Sequence, residues 1–456
     1  MQIETLIANQ KKYFETHETF DISFRIAKLK ALKAAIQKHE QDILAALKTD
    51  LGKSETEAYM CEIGLTLSEI SHQIKHIRKW SRSTWHPTSL ANFHAKSFST
   101  YEPLGCVLIM SPWNYPFMLC MEPFAGALAA GNCCVLKPSA YSPATSAVIK
   151  QIVEEVFPPE YVAVVEGGRQ ENQALLEQRF DYIFFTGGVT VGKQVMEKAS
   201  KHLTPVTLEL GGKSPCIITD SCNLKVAAAR VAFGKYLNCG QTCVAPDYCL
   251  VDSKIKEAFL EQLKLQITKM YGANPLENPN YGKIINQKHF ERILGLIEPH
   301  KLIVGGESNS VTLQIAPTIL DNVTADDAVM QEEIFGPILP ILTYKSIEEA
   351  EQFIKEREKP LAAYLFTQDK ALEQRFLKYI SFGGGCINDT IVHLSSPDMA
   401  FGGVGNSGMG SYHGKKSFLT FSHEKNILKK YNWIDLPMRY QPYKSLYDKL
   451  IRLFLH

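Results

Sequence analysis

Three cysteines stand close together in the segment NCGQTCVAPDYC: Cys239, Cys243 and Cys249. Thiols at this spacing could bind a metal, form a disulfide, pack in a core or supply a nucleophile. Structural zinc sites commonly combine cysteines a few residues apart with a second pair or with histidines, and this segment contains no histidine. We therefore predict no metal site, and core packing and nucleophilic chemistry stay open.

Cys243 has a different local sequence from its two neighbours. Gly240 precedes it and loosens the chain, and Pro246 follows it and cannot continue a helix. This bend suits a thiol that a substrate can reach, whereas Cys239 and Cys249 fit core packing. On local grounds alone, a buried thiol explains Cys243 as well as a nucleophile does.

The composition limits the classes of protein to which the chain can belong. Its 456 residues exceed one ordinary domain, and 45% of them are hydrophobic, which is enough for large cores. Lysine and arginine number 49 against 48 acidic residues, so no general positive field favours nucleic-acid binding. The 11 cysteines are scattered, and neither a signal core nor a membrane-spanning apolar run is present. We therefore expect a cytoplasmic protein of two or three lobes, with no nucleic-acid partner and no transmembrane segment.

The elements that must position these thiols follow from the periodicity of apolar residues. Roughly the first eighty residues repeat apolar positions at intervals of three and four, which predicts helices. From Glu102, short apolar runs such as LGCVLIM and NCCVLK alternate with helical segments, one ending at Gly131 and the next capped by Ser142. The pattern restarts after Pro215. Strands that alternate with helices indicate parallel sheets covered on both faces, so we predict two α/β lobes with a cleft between them.

Several motifs occur along the chain: EPLGCVLIMSPWNYPF, VLKPS, FFTGG, LELGGKSP, GQTC, EEIFGP and FGGVGNSGMGSYHGKKSF. Together they resemble the aldehyde dehydrogenase superfamily, and the SYHGKKSF ending is similar to its class 3 branch, which handles fatty and aromatic aldehydes. The resemblance implies two Rossmann-like parallel α/β lobes and a small β element for bridging and oligomerisation. It assigns 1–82 and 102–207 to a dinucleotide-binding domain, 208–414 to a catalytic thiol domain, and 83–101 and 415–456 to the bridging element and C-terminal tail.

The resemblance gives three residues a role in the NAD(P)-dependent oxidation of an aldehyde to a carboxylic acid. Cys243 is the implied nucleophile, which forms a thiohemiacetal and then a thioester. The Asn114 amide and the main-chain N–H of Cys243 stabilise the tetrahedral oxygen, and Glu209 activates the water that hydrolyses the thioester. From the residues alone, Asn114 could be a turn residue in SPWNYP, and Glu209 could be a surface carboxylate.

A nicotinamide cofactor is a second implication of the resemblance. The segment TGGVTVG follows a predicted strand and begins a helix, and its glycines let the helix N-terminus approach a pyrophosphate. Glycine turns of this kind are also common at ordinary helix starts. The implied cofactor-binding residues are Trp113, Lys137, Gly187, Gly188, Gly192, Leu210, Glu333 and Phe335.

Two positions depart from the class 3 pattern. Ala140 stands after KPS, where class 3 members usually carry a glutamate that binds the adenosine ribose hydroxyls and repels a 2′-phosphate. Gly188 replaces a polar residue that is common at its position. We therefore expect NAD as the cofactor, with NADP accepted as well.

Aromatic residues near the motifs bear on the substrate. Tyr115, Phe117 and Tyr236 predict an apolar entrance, although core packing explains such side chains equally well. The resemblance to the class 3 branch implies medium- or long-chain aliphatic or aromatic aldehydes as substrates. A nitrilase-like thiol hydrolase is the alternative function. It would use Cys243, Glu209 and Lys213 without any dinucleotide.

The C-terminal segment YKSLYDKLIRLFLH has the pattern of an amphipathic helix. Leu446, Leu450, Ile451 and Phe454 fall on one face between basic residues. Such a stripe most often packs on its own protein or on a partner subunit, and peripheral contact with a membrane surface is the alternative. Dimers are common in the class 3 branch, so we expect a homodimer.

Overall fold

The computed structural model describes residues 2–455. Helices occupy most of the N-terminal segment, as the apolar periodicity predicts, and they pack against the first of two large sheets. A five-residue π-helix, Tyr59–Ile63, joins the fourth helix to the fifth. The five α-helices are α1 (Ile3–Phe14), α2 (Ile22–Lys38), α3 (Glu40–Leu51), α4 (Glu55–Ala58) and α5 (Gly64–Trp80).

A three-stranded antiparallel sheet follows these helices. Strand β1 (Thr84–His86) forms a hairpin with β2 (Ala95–Pro103), and β18 (Ser422–Lys430) pairs with β2 along its whole length. The outer edge of β18 carries no further strand among residues 2–455, and most of its side chains are exposed. This sheet is the small β element that the resemblance implies.

The first large sheet has six strands in the order β17-β7-β6-β3-β4-β5, and all but β17 run parallel. The central strands are buried on both faces, as expected for parallel strands covered by helices. The strands are β3 (Cys106–Met110), β4 (Cys133–Lys137), β5 (Val162–Val164), β6 (Tyr182–Thr186), β7 (Val206–Glu209) and β17 (Gly408–Met409), and the helices are α6 (Met118–Ala130), α7 (Pro143–Val156), α8 (Arg169–Leu176) and α9 (Val189–Ser200).

Strand β7 bears on the division of the chain into domains. It pairs with β6 through Glu209, so the first sheet continues past residue 207, where we placed the domain boundary. The short strand β17 returns from residues 408–409 and pairs with β7. Glu209 therefore belongs to the same sheet as Lys137, and the division into domains stays a prediction.

The cap of α7 differs from the sequence prediction. Ser142 occupies the N-cap position, but its hydroxyl donates to the Ser139 carbonyl and accepts no bond from the helix. The Asp50 carboxylate at the end of α3 instead accepts the main-chain N–H groups of Ala144, at 3.2 Å, and Thr145, at 2.8 Å. A charged acceptor brought by tertiary packing is the stronger partner for a helix N-terminus, so it replaces the local cap.

The second large sheet has seven strands in the order β10-β13-β14-β9-β8-β15-β16, and only β10 runs antiparallel. It confirms the predicted second α/β lobe. Its strands are β8 (Pro215–Ile218), β9 (Tyr248–Asp252), β10 (Leu302–Val304), β13 (Thr318–Leu320), β14 (Ile338–Tyr344), β15 (Ala362–Phe366) and β16 (Gly384–Ile387). Its helices are α10 (Leu224–Tyr236), α11 (Lys256–Tyr271), α12 (Gln287–Leu294), α13 (Ala328–Gln331), α14 (Ile347–Lys355) and α15 (Lys370–Tyr379).

The remaining elements are small. A two-stranded hairpin, β11 (Ser308–Asn309) and β12 (Gln314–Ile315), flanks the second sheet, and α16 (Gly414–Thr420) packs on α5 and α6. The predicted C-terminal helix is present as α17 (Ser445–Phe454), although the Phe454 side chain lies outside the described residues. Within 2–455, no helix has the length and apolarity needed to cross a membrane.

Candidate active site

Cys243 lies in a loop between α10 and β9 that is held rigidly. Asn238 and Cys239 both have a φ of 52°, which turns the chain sharply after α10. The buried Gln241 side chain then donates to the carbonyls of Asn238 and Lys283 and accepts from the N–H of Ile285, each at 3.0 Å. These bonds fix the backbone just before the thiol.

The three cysteines of the segment have different surroundings. Cys239 is buried against Gly282, and Cys249 is fully buried in β9. Cys243 is half-buried and lines a cavity of about 280 Å³. Within this segment, Cys243 is thus the thiol that a small molecule in the cavity can reach.

The surroundings of the Cys243 thiol disfavour its thiolate form. Burial, followed by repulsion from the nearby carboxylates of Glu333 and Glu209, raises its pKa to about 12. Its proton must therefore leave when the sulfur attacks, so a proton acceptor is needed at the site.

Asn114 lies beside the thiol loop, in the turn between β3 and α6. Its side-chain amide donates to the Gln241 carbonyl at 3.0 Å, two residues before Cys243. The main-chain carbonyl of Asn114 accepts hydrogen bonds from Asn238 Nδ2 at 2.8 Å and from Lys53 Nζ at 3.0 Å. A buried amide held in this way has a second N–H with which to stabilise an oxyanion.

Glu209 ends β7 as a buried carboxyl group. Only 3% of the residue is exposed, and neither carboxylate oxygen has a hydrogen-bond partner among the described residues. Burial raises the pKa of Glu209 well above its usual range. A buried carboxyl group without hydrogen-bond partners is costly to the fold, and groups with perturbed pKa values of this kind cluster at functional sites.

The turn between β6 and α9 fits a dinucleotide. A Cβ on Gly187 would lie 2.6 Å from the Phe185 ring, and one on Gly192 would lie 2.6 Å from Leu210 Cδ2, so both glycines let the start of α9 pack closely on the sheet. The space beside Gly188 is open to 4 Å. The first N–H groups of α9 thus face a place that a phosphate can occupy.

Lys137 ends β4 at the same edge of the sheet. It is buried, and its ammonium group donates to the carbonyls of Pro138, at 2.8 Å, and Gly167, at 2.6 Å. Burial lowers its pKa. The nearby Ala140 is exposed and carries no charge, and Lys137 is the only cation of the VLKPSA segment.

Glu333 and Phe335 lie on the other side of the cleft. The Glu333 carboxylate lies so close to Gly211 that a Cβ there would meet Oε2, and burial raises the Glu333 pKa to about 8. The Phe335 ring meets Trp113 edge to face, with 5.3 Å between centroids. The structure thus brings Glu333 beside Gly211 and Phe335 beside Trp113, and Val189 at the start of α9 lines the same pocket as Glu333.

Lys213 anchors the EEIF segment instead of taking part in the site. Its ammonium group bonds to Asp247 Oδ2 at 2.5 Å and to the carbonyls of Val329 and Glu332, both at 2.9 Å. Asp247 also accepts from the N–H of Ile334. The sequence analysis gave Asp247 no role, and its pairing with Lys213 leaves the thiol hydrolase without its lysine.

The aromatic residues predicted at the entrance separate into two groups. Tyr115 lines the cavity, and its hydroxyl bonds to Thr242 Oγ1 at 2.7 Å. Phe117 is fully buried, and Tyr236 donates to the Thr318 carbonyl within the core, so the structure places neither at the cavity. Their aromatic side chains are needed for packing between helix and sheet.

Most of the cavity wall comes from residues that the sequence analysis did not name. They belong to the π-helix, α5, α6, α10, the turn that follows α10 and the 391–413 segment, which are distant in sequence. Their shared property is an apolar side chain, which by itself does not distinguish them from core residues: Met60, Leu65, Met118, Leu119, Phe233, Leu237, Ile391, Leu394 and Phe401.

Comparison with known proteins shows the family of the chain. The model of the Aldehyde dehydrogenase family matches residues 1–427. The chain belongs to the aldehyde dehydrogenase family. It is 48% identical to 4,4'-diaponeurosporen-aldehyde dehydrogenase of Staphylococcus aureus over 99% of both chains, and 44% identical to Aldehyde dehydrogenase family 3 member A2 of Macaca fascicularis over 94% of this chain and 88% of that protein.

Solved structures show the same fold. A structure described as the substrate-bound state of Staphylococcus aureus AldH superposes with a TM-score of 0.98 at 48% identity, covering 100% of this chain and 99% of that one. The relatives confirm the resemblance to the class 3 branch and the two Rossmann-like lobes. This aldehyde dehydrogenase is thus an oxidoreductase, and the thiol-hydrolase alternative finds no support among its relatives.

Proposed function

We propose that the enzyme oxidises apolar aldehydes to carboxylic acids with a nicotinamide dinucleotide, through a thiohemiacetal and a thioester on Cys243. The observation that carries this proposal is the position of Cys243 at a cavity whose wall is almost entirely apolar. An apolar wall favours a substrate with a hydrocarbon chain. The aldehyde group, at the polar end of such a substrate, then faces the thiol.

Three residues have distinct tasks in this proposal. Cys243 Sγ bonds to the aldehyde carbon. The oxygen that becomes negative accepts hydrogen bonds from the Asn114 side chain and from the main-chain N–H of Cys243. A bound dinucleotide, held by the α9 turn and by Glu333 and Phe335, supplies the hydride acceptor. Glu209 then takes a proton from the water that attacks the thioester.

Medium- or long-chain aliphatic and aromatic aldehydes are the proposed substrates. The staphylococcal relative is named for 4,4'-diaponeurosporen-aldehyde, and the apolar wall supports a substrate of similar character. In a panel of aliphatic aldehydes, we expect kcat/KM to rise with chain length, because each added methylene that enters the cavity contributes about 0.8 kcal/mol. Formation of reduced dinucleotide measures the rate. A preference for short polar aldehydes would contradict the proposed substrate class.

Acceptance of NADP beside NAD is a further part of the proposal. Lys137 supplies a cation and Ala140 supplies no carboxylate to repel a 2′-phosphate. Among the relatives, one of 44% identity from Canis lupus familiaris is named dimeric and NADP-preferring. A structure of 25% identity and TM-score 0.85, indole-3-acetaldehyde dehydrogenase, contains NAD.

Ala140→Glu tests the basis of this cofactor choice. We expect the ratio of kcat/KM for NAD to that for NADP to rise by at least about tenfold, which is 1.4 kcal/mol, because the carboxylate repels the phosphate. Ala140→Gln is the matched control, since it adds the same length without the charge. An unmoved ratio in Ala140→Glu would place the determinant elsewhere.

A homodimer in the cytoplasm is the proposed physical state. The free edge of β18 and the exposed side chains of Trp433, Leu446 and Leu453 leave an apolar surface that this chain does not cover. Burial of such a surface against a partner subunit is favoured over its exposure to water. Contact of the tail with a membrane is the alternative. All eleven cysteines, each within the described range, are free thiols, which fits a reducing compartment.

A further inference from the structure

A buried ion pair lies next to residues that line the cavity, in the helical region that carries Met60 and Cys61. Lys53, just after α3, is 1% exposed, and Glu62, in the π-helix, is completely buried. Lys53 Nζ lies 2.5 Å from Glu62 Oε1. Removal of two charges from water is costly and needs excellent geometry to be offset. The pair therefore requires an explanation beyond the stability of the fold.

Both side chains of the pair make further hydrogen bonds to the segment that carries Asn114. Lys53 Nζ donates to the Asn114 carbonyl at 3.0 Å and lies 4.0 Å above the Tyr115 ring. Glu62 Oε2 accepts from the N–H of Phe117 at 2.8 Å and from that of Met118 at 3.2 Å. Four contacts to residues between positions 114 and 118 thus hold the turn between β3 and α6.

The same helical region also reaches the loop of the nucleophile. Glu57 of α4 accepts from the main-chain N–H of Asn238 at 3.0 Å. Asn238 in turn donates to the Asn114 carbonyl, which is the acceptor that Lys53 shares. The π-helix that carries Glu62 widens the helix at this point, and such insertions are frequent at functional sites.

We propose that Lys53 and Glu62 are positioning residues that aim the Asn114 amide at the oxyanion. This inference rests on the proposed function in one respect, the role of Asn114. The Lys53 ammonium group holds the main-chain carbonyl of Asn114, and the Gln241 carbonyl holds one of the two N–H groups of the Asn114 side chain. The direction of the second side-chain N–H is thereby fixed. Loss of the ammonium group removes one of the two donors to the Asn114 main-chain carbonyl and leaves the Glu62 charge unpaired beside this turn. We expect the turn to shift, and a displacement of about 1 Å in an active-site group can cost about 100-fold in rate.

The test compares two reactions of Cys243 that need neither an aldehyde nor a dinucleotide. In acylation by p-nitrophenyl acetate, Sγ bonds to the acetyl carbon, p-nitrophenolate leaves and the thiol proton passes to solvent, through an oxyanion that needs Asn114. Alkylation by iodoacetamide replaces iodide at the same sulfur without an oxyanion. Both rates are followed at Cys243 by peptide mapping on folded protein, so their ratio cancels changes in thiol reactivity that the two reactions share.

Lys53→Met is expected to lower the ratio of acylation to alkylation by about 100-fold. In an Asn114→Ala background, Lys53→Met should lower it no further, because residues that act as one unit are not additive. Lys256→Met is the matched control: it breaks a mostly buried pair with Asp321, 2.8 Å apart, that does not contact the site, and it should keep the wild-type ratio. A wild-type ratio in Lys53→Met would overturn the inference.

A double variant separates positioning from stability. Lys53→Met/Glu62→Gln removes both charges and keeps an acceptor for Phe117 and Met118, so its melting temperature should recover relative to Lys53→Met. Its ratio of acylation to alkylation should stay low, whereas a merely structural role predicts that the ratio recovers with the melting temperature. A wild-type enzyme that reacts with both reagents but oxidises no aldehyde would contradict the proposed function and leave this inference standing.

Discussion

Replacement of Cys243 by alanine is expected to abolish aldehyde oxidation, with kcat reduced by about 10⁴-fold or more. In the proposed mechanism the thiol is the group that bonds to the aldehyde carbon, and alanine removes it while leaving the cavity open. The dinucleotide should still bind, because the α9 turn and the EEIF segment do not depend on the thiol. The measurements are steady-state formation of reduced dinucleotide and a binding titration of the dinucleotide.

The neighbouring cysteines supply matched controls for this result. Cys239 and Cys249 are buried in the core, so Cys239→Ala and Cys249→Ala lose packing but keep the nucleophile. Both variants should retain turnover. Near-normal turnover in Cys243→Ala would contradict the assignment of Cys243 as the nucleophile. Loss of turnover in Cys239→Ala or Cys249→Ala, with folding intact, would contradict it as well.

Glu209→Gln is expected to separate the two halves of the reaction. A general base contributes about 10²–10⁴-fold, so steady-state turnover should fall by that amount. Thioester formation precedes the step that needs Glu209. Rapid mixing should therefore show one burst of reduced dinucleotide per active site, followed by slow release.

The buried, unpartnered state of Glu209 also permits a second role. Burial raises the pKa of Cys243 to about 12, so the thiol proton needs an acceptor, and the Glu209 carboxylate is a nearby candidate. Loss of the burst in Glu209→Gln, with dinucleotide binding intact, would show that Glu209 activates the thiol. Glu209→Asp, which keeps the carboxylate, should restore part of the turnover in either case.

Much of the fold was predictable because its signals are local. The apolar runs that become β3, β4, β6 and β9 are continuous in sequence, and strands buried on both faces need such runs. Gly131 ends α6 with a φ of 97°, a conformation that glycine adopts readily. These patterns require no knowledge of distant residues.

The features that were missed depend on distant partners. Asp50 caps α7 from 94 residues away, and Lys53 reaches Asn114 across 61 residues. Neither residue differs in its local sequence from an ordinary helix-end Asp or Lys. Phe117 and Tyr236 illustrate the same limit, since an aromatic side chain beside a motif fits a core as well as a cavity.

The most direct test of the central claim is the mass of the Glu209→Gln enzyme quenched after mixing with a dinucleotide and an apolar aldehyde. The enzyme should gain the mass of the aldehyde less two hydrogens, because the aldehyde loses one hydrogen to become an acyl group and that group replaces the hydrogen of the thiol. Peptide mapping should place that group on Cys243, with one reduced dinucleotide formed for each acyl group. An acyl group on another residue, or reduced dinucleotide formed without any acyl-enzyme, would contradict the account.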